Sequence, residues 1–331
     1  MPGPLRIVSY NVRYFGHAVR GLASTRAGKR GIARALAALD PVPDLICLQE
    51  VETSSIRSNI GRPYPEQTQL ESFMEQLDRA YGEHGLVMPF TALYFRAHTY
   101  KLGDISLYTT GLAVLVNLQT LRVDMHNADQ PAGITHYRVA RWKDRKQTRI
   151  CAHLRLSDGE GRPLHLFNTH LSLPTPFARE YWAVKEKMGW GMNQLHEAQR
   201  LASFVHQRTD GEPFIVCGDF NSPPGSPVYR FLCEEAGFVG AQERLGQIDP
   251  RQPRAFPTAG FMRLRMHLDH LFSSPSVRWI DLDGTFPFGE GPFAGLSDHM
   301  PLIGRFVIEP QAPQEARSEE HTSELQSLRH L

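Results

Sequence analysis

Apolar residues along this chain gather in short, dense runs. LRIVSYNV (5–12), DLICLQEV (44–51), GLAVLVNL (111–118), ITHYRVARW (134–142), TRICAHLRL (148–156), PLHLFNTHL (163–171), PFIVC (213–217), HLDHLF (267–272) and PLIGRFVI (301–308) are rich in β-branched and large apolar side chains, with turn formers at their flanks. This pattern predicts strands. SDGEGR (157–162) lies between two of these runs and predicts a hairpin loop. Two segments change period. Over 26–39, Ile32, Ala35, Leu36 and Leu39 share one helical face, and over 194–208 Leu195, Ala198, Leu201, Ala202 and Val205 do the same. Strand–helix–strand units early and strand–strand runs later predict an α+β fold, a mixed sheet core flanked by helices.

No low-complexity linker or internal repeat divides the chain before residue 309, so 1–309 is expected to form one domain. The segment QAPQEARSEEHTSELQSLRHL (311–331) is polar and has no full apolar face. Its run RSEEHTSELQS resembles translated sequencing-adapter sequence, so 310–331 is expected to be a disordered or non-native tail without functional meaning.

Composition narrows the picture only a little. A formal net charge of +1 gives no global basic field that would advertise nucleic acid, although a local patch would suffice. The cysteines Cys47, Cys151, Cys217 and Cys233 form no CxxC pair, and they are expected to be reduced and mostly buried rather than zinc-bound or bridged. The first residues, MPGPLRIVSYNVRYFG, lack a basic segment leading into an apolar core, and no uninterrupted apolar stretch is long enough to span a bilayer. The expectation is a cytoplasmic protein without stable membrane insertion.

Candidate chemistry comes from the polar residues at strand ends. Asn11 follows LRIVSY, Glu50 follows DLICLQ, and Asn168 and His170 end PLHLF. Asp219 and Asn221 follow PFIVCG, Asp269 and His270 interrupt an apolar strand, and Asp298 and His299 precede PLIGRF. Buried polar groups cost free energy unless paired. One such residue reads as a turn former or a satisfied core group; a set at one kind of position reads as a pocket where strand ends converge. Glu, Asp and Asn are hard oxygen ligands suited to Mg²⁺ or Mn²⁺. Histidine beside aspartate suits contact with, or proton transfer to, a phosphate.

The motifs SYNVRYFG (9–16), LICLQEVE (45–52), FNTHLS (167–172), CGDFNSPPGS (217–226), LDHLF (268–272) and LSDHMP (296–301) occur in an order and spacing that resembles the endonuclease/exonuclease/phosphatase superfamily, the DNase I-like metal-dependent phosphoesterases. The resemblance runs from about residue 5 to 308. It implies a four-layer α/β sandwich, two packed mixed sheets between helices. It implies a metal-binding carboxylate at Glu50, with Asn11 forming part of the metal and phosphate site. It implies that Asp219 orients or deprotonates the attacking water and that Asn221 holds nucleophile and phosphate. His170 is implied near the phosphate or leaving group, Asp269 as the acid orienting the last histidine, Asp298 as a further carboxylate at the metal, and His299 at the scissile phosphate. The motifs supply no acidic partner for His170.

Other residues nearby read as structural. Asn168 is expected to be structural, and strand alternation turns His270 and Gln49 away from their matched neighbours. His267, two before Asp269, is placed to share its face. The implied reaction is hydrolysis of a phosphodiester by in-line attack of an activated water, with Mg²⁺ (or Mn²⁺) as cofactor. The first substrate reading is a nuclease-type activity; the alternatives are a phospholipid head group, as in sphingomyelinases, a small phosphate ester, or an inactive binding protein on the same fold. Intact matches at all eight positions weigh against the last. RLRMHLDHLF (263–272) lacks the Gly-Trp lead of the abasic-site repair branch. Two basic stretches, RVARWKDRKQTR (138–149) and RQPRAFP with MRLRMH (251–267), are placed either to track a phosphate backbone or to form a solvated face. The phenylalanines of TFPFGEGPFAGLSDH (285–299) either stack on bases or lipid at the pocket or pack on the core.

Overall fold

The computed structural model of the chain describes residues 3–15, 21–55, 68–102, 105–135, 148–174, 188–248, 256–261, 264–282 and 285–309. The first sheet contains β1 (Leu5–Asn11), β2 (Leu45–Ser55), β3 (Phe90–Leu102), β4 (Ile105–Asn117), β14 (Val277–Asp281) and β15 (Leu302–Ile308), in the order β14-β15-β1-β2-β4-β3. The second contains β5 (Leu121–His126), β6 (Ala132–Gly133), β7 (Ile150–Asp158), β8 (Pro163–His170), β9 (Phe214–Asp219), β10 (Val239–Gly240) and β13 (Asp269–Ser273), in the order β10-β13-β9-β8-β7-β5, with β6 paired to β7. A small ribbon joins β11 (Ala259–Phe261) to β12 (Leu264–Met266).

Both sheets are mixed. Among the described strands, only β1–β2 and β8–β9 are parallel pairs. Helices α1 (Gly21–Ala37) and α2 (Gln69–Glu83) cover the outer face of the first sheet; α3 (Met192–Thr209) and the short α4 (Pro227–Arg230) cover that of the second. The result is a four-layer sandwich. Central strands are buried on both faces, which is why they read as continuous apolar runs rather than alternations. Along β1, Leu5 and Ile7 enter the core between the sheets while Val8 and Tyr10 face the helices.

The expected helices start earlier than their patterns: 26–39 becomes Gly21–Ala37 and 194–208 becomes Met192–Thr209. The run ITHYRVARW does not begin a strand where it is described: Ile134 and Thr135 follow the end of β6, and residues 136–142 lie outside the described residues. The hairpin at 157–162 is present as the turn between β7 and β8. Cys47, Cys151 and Cys217 are buried and all four cysteines are free. The tail 310–331 lies outside the described residues. No helix among the described residues is long and apolar enough to cross a membrane.

Candidate active site

Topology brings the polar strand ends to one place. Parallel pairing puts the ends of β1 and β2 at the same edge, and it sets His170 at the end of β8 opposite Asp219 at the end of β9. Antiparallel strands begin where their partners end. Asp269 therefore opens β13 opposite Asp219, and Asp298 and His299 sit just before β15, which pairs with β1.

Local backbone then aims the side chains. Glu50 occupies a break in the β2–β4 register between Leu48 and Val51 and has φ +54°. Bulges of this kind re-aim a side chain, and a positive φ at a non-glycine residue costs about 1–3 kcal/mol that the surroundings must hold. Asn221 has φ +48°, and its backbone N–H donates to Asp219 Oδ1 at 2.9 Å, closing a turn on the acid. Just before the acid, Gly218 has φ +143°, and a Cβ there would lie 2.0 Å from the Thr169 carbonyl oxygen. Glycine is needed because β8 passes this close. After the Pro/Gly turn, the Ser226 hydroxyl accepts from Tyr229 N with Pro227 opening α4.

The contacts form two linked groups. Asn11 Nδ2 donates to Asp219 Oδ2 at 3.0 Å and to Glu50 Oε1 at 3.4 Å, while its Oδ1 accepts from Arg13 N at 3.0 Å. Asn221 Nδ2 donates to the Leu171 carbonyl at 2.9 Å and faces His170 Nε2 at 3.2 Å. His170 Nε2 lies 3.5 Å from Asp219 Oδ2 and 3.9 Å from Glu50 Oε1. Burial, with Arg149 and His299 adding to it, holds the His170 pKa well below the ordinary value, so the ring is neutral. A neutral imidazole accepting from Asn221 requires no acid of its own, which accounts for the missing partner.

The second group is built around a protonated histidine. His299 Nδ1 meets Asp269 Oδ2 at 2.8 Å, and Nε2 lies 3.8 Å from Asp219 Oδ2. Burial pulls the His299 pKa down, but the charges of Asp269, Asp219 and Asp298 outweigh it and carry it up to about 10. Thr258 fixes the acid: its hydroxyl donates to Asp269 Oδ2 at 2.6 Å and accepts the N–H groups of Leu268 and Asp269. Burial, with repulsion from Asp269, raises the Asp219 pKa, and His299 works against that rise.

Asp298 stands apart from this cluster. Its Oδ2 pairs with Arg13, and any contact with a metal at Glu50 would pass through water or displace the guanidinium. Arg13, Tyr14 and Phe15 all have positive φ, a one-turn left-handed segment that delivers Arg13 to this carboxylate.

Asp219, Asp269 and His299 bring ligand atoms within 4.8 Å of one another. A protonated His299 already offsets one of the two carboxylate charges of that trio, so a cation there would compete with a proton. Glu50 is the better fit. Burial raises its pKa, and His299, the Asn11 amide and Arg149 only partly offset this. A hard divalent cation would supply the missing counter-charge. Asn11 turns its NH₂ toward the carboxylates, so as a ligand it would use Oδ1, the atom that accepts from Arg13.

The remaining polar residues are accounted for. Asn168 bridges the sheets: its Oδ1 accepts from Gln49 Nε2 at 2.8 Å, and its Nδ2 donates to the Leu48 and Ala113 carbonyls at 3.1 and 3.2 Å. His270 bonds the Ser222 carbonyl at 2.7 Å and packs against Phe220. His267 stacks on His270 at 4.7 Å and faces Gln242, not the site. Phe293 is buried edge-on to Tyr10, and Phe286 and Phe288 pack on the core, so these rings do not form an exposed platform. Arg265 lies 4.5 Å over the Phe288 ring. Of the two basic stretches, residues 138–147, 251–255 and 262–263 lie outside the described residues, and Arg149 is buried rather than on a solvated face.

A model of the Endonuclease/Exonuclease/phosphatase family matches residues 8–299. The chain belongs to this family. Members of the endonuclease/exonuclease/phosphatase family are hydrolases of phosphoester bonds that generally use divalent metals. The human nocturnin catalytic domain with bound sulfate superimposes with a TM-score of 0.59 at 19% identity, covering 93% of this chain and 95% of that one. A mannosyl-6-phosphatase of Bacteroides thetaiotaomicron gives 0.56 at 16%, covering 92% and 99%. At these identities the likeness establishes the fold. By sequence, the inositol phosphosphingolipids phospholipase C of Saccharomyces cerevisiae is 32% identical over 88 residues, 25% of this chain and 16% of that protein's length.

Proposed function

We propose that the protein is a divalent-metal-dependent phosphodiesterase that hydrolyses its substrate by in-line attack of water. One observation carries the reading: Asn11, Glu50, His170, Asp219 and His299 converge by direct contacts at one end of both sheets. Asp219 accepts the proton of the water, and its raised pKa brings it toward the working range of a general base. Asn221 holds the water and a phosphoryl oxygen. His299, positively charged and steadied by Asp269, donates to a non-bridging oxygen whose charge grows in the transition state. Neutral His170 lines the opposite side. Glu50 would hold a Mg²⁺ (or Mn²⁺) ion directly, with Asn11 Oδ1 and, through water, Asp298 as further ligands, and the ion would supply charge to neutralise the phosphoryl group.

The test is hydrolysis of bis-p-nitrophenyl phosphate, plasmid DNA, single-stranded RNA, sphingomyelin and inositol phosphates with Mg²⁺, Mn²⁺ or EDTA. Metal-dependent cleavage that EDTA abolishes is expected, with nucleic acid the first choice of substrate. Full activity in EDTA overturns the reading. A phospholipid head group is the second substrate reading, supported by the 88-residue likeness to a sphingolipid phospholipase C. Lipid cleavage without nuclease activity selects it.

A further inference from the structure

The third residue of a helix often folds its side chain back onto the N-cap. Helix α2 does this at the surface: the exposed Glu71 accepts the Thr68 N–H at 2.7 Å, and Thr68 Oγ1 accepts the Glu71 N–H at 3.1 Å. The equivalent residue of α3, Gln194, is fully buried. Its Oε1 accepts the N–H groups of Gly191 at 3.3 Å and Gly189 at 3.1 Å, as a cap would. Its Nε2 leaves the helix and donates to the Asn221 carbonyl at 2.9 Å. On the next turn of the same face, the Glu197 carboxylate is also fully buried and accepts the Ser172 N–H at 2.8 Å and hydroxyl at 2.7 Å. Burying an amide and a carboxylate is costly unless both are bonded, and capping alone does not require it.

These bonds land beside the proposed chemistry. Asn221 is left-handed, and its backbone is held at the N–H by Asp219 and at the carbonyl by Gln194. Its Nδ2 rests on the Leu171 carbonyl, next to the Ser172 that Glu197 grips. The Val228 N–H donates to the Gly189 carbonyl at 3.3 Å, which ties the turn after Asn221 to the segment that Gln194 caps. We propose that Gln194 is a positioning residue. Through the Asn221 carbonyl it keeps a strained turn from relaxing, and so keeps the Asn221 amide against His170 and beside Asp219. The proposal rests on the phosphodiesterase reading, in which Asn221 holds the attacking water.

Gln194→Glu separates the two jobs of this side chain. Glutamate serves the cap as glutamine does, but at about pH 8 it is ionised and cannot donate to Asn221. With bis-p-nitrophenyl phosphate and Mg²⁺, kcat is expected to fall ~10–100-fold while KM changes less than ~2-fold. Gln194→Met, which buries no charge, should lose kcat by a similar factor. In an Asn221→Ala background both losses should shrink below ~3-fold, because no amide is left to position. Losses that multiply with that of Asn221→Ala, or a kcat within ~3-fold of wild type in both Gln194 variants, overturn the proposal. A second readout needs no activity. The Asn221 side-chain NH₂ signals, assigned by their absence in Asn221→Ala, should exchange with solvent ~10-fold faster in either Gln194 variant than in wild type. Equal exchange rates overturn the proposal. If nothing is hydrolysed but exchange quickens, the catalytic reading fails and Gln194 stands as the mount of the Asn221 turn.

Discussion

Two histidine–carboxylate pairs in this molecule have nearly the same geometry and opposite shifts of the histidine pKa. At the site, His299 Nδ1 lies 2.8 Å from Asp269; on the outer side of the second sheet, His165 Nε2 lies 2.6 Å from Glu212. Yet His299 is driven up to about 10, whereas His165 is held below its ordinary value. Burial pulls both rings down first; at His299 three acids outweigh it, whereas at His165 one acid does not and Arg155 adds to the fall. Glu212 already accepts two bonds from Arg155, which hold its pKa down to about 2, so its charge is shared. His165 also faces His153, which burial and the neighbouring ring push down to about 3. Among the described residues, Asp269 has only a hydroxyl, Thr258, as its other side-chain partner, and Asp219 and Asp298 add to its field. Proximity to an acid does not charge a histidine; an acid with no competing cation does.

The sharpest way to break this contrast is at its acidic end. Asp219→Asn removes both the proposed base and a charge that keeps His299 protonated, and kcat is expected to fall about 10²–10⁴-fold in a metal-supplemented phosphodiesterase assay. His299→Ala should lower kcat by roughly 100-fold, and a loss of less than threefold would sink its proposed role at the phosphate. Next comes the mount beneath the site. Asn168→Ala removes three buried hydrogen bonds, one from the Gln49 amide and two to the Leu48 and Ala113 carbonyls, and should cost about 3 kcal/mol in urea unfolding. Arg155→Met should release the full charge of Glu212 to His165 and raise the His165 pKa, visible in an NMR titration. Because that pair is over a third exposed on the arginine side, its stability cost is expected to be about 1 kcal/mol or less.

The smallest effect is the pH dependence of folding. His153 and His165 have folded pKa values below 6.5, so the unfolded chain takes up their protons first on acidification. Stability from this pair is therefore full above about pH 6.5 and declines as the pH falls toward 3. Chemical denaturation from pH 7 to 4 should show that slope, and it should flatten in His153→Phe.

The site was legible in the sequence because its residues break otherwise apolar strands, and their order alone resembles the family that residues 8–299 match. The sandwich came through that same resemblance. Several elements escaped, β14 and the shortest strands among them. Helix α2 carries its own signals, a capping box of Thr68 with Glu71 and a buried face of Leu70, Phe73, Leu77, Ala80 and Tyr81, but Gly82 and the charged residues between dilute the pattern. β3 and β5 interleave basic and polar residues with apolar ones because they sit at sheet edges and bury less of their surface. Arg149 read as one of six basic residues in a stretch of similar charge. Only its burial distinguishes it, and burial leaves no mark on the sequence. Asp298 shows the opposite limit: its motif matched, but its Arg13 partner arrives through a left-handed turn that no local pattern announces.

The Gln49–Asn168 amide pair acts mechanically. Sheets joined only by interdigitated side chains can shear past one another in small steps. Glu50 belongs to one sheet, and His170 and Asp219 belong to the other, so any such slip would open the gap between the proposed metal ligand and the proposed base. A side-chain amide in one layer bonded to backbone and side chain in the other works as a dowel driven across the seam one residue from Glu50. The molecule can therefore tolerate loosened packing at the far end of the sandwich while the two halves of its chemistry stay in step.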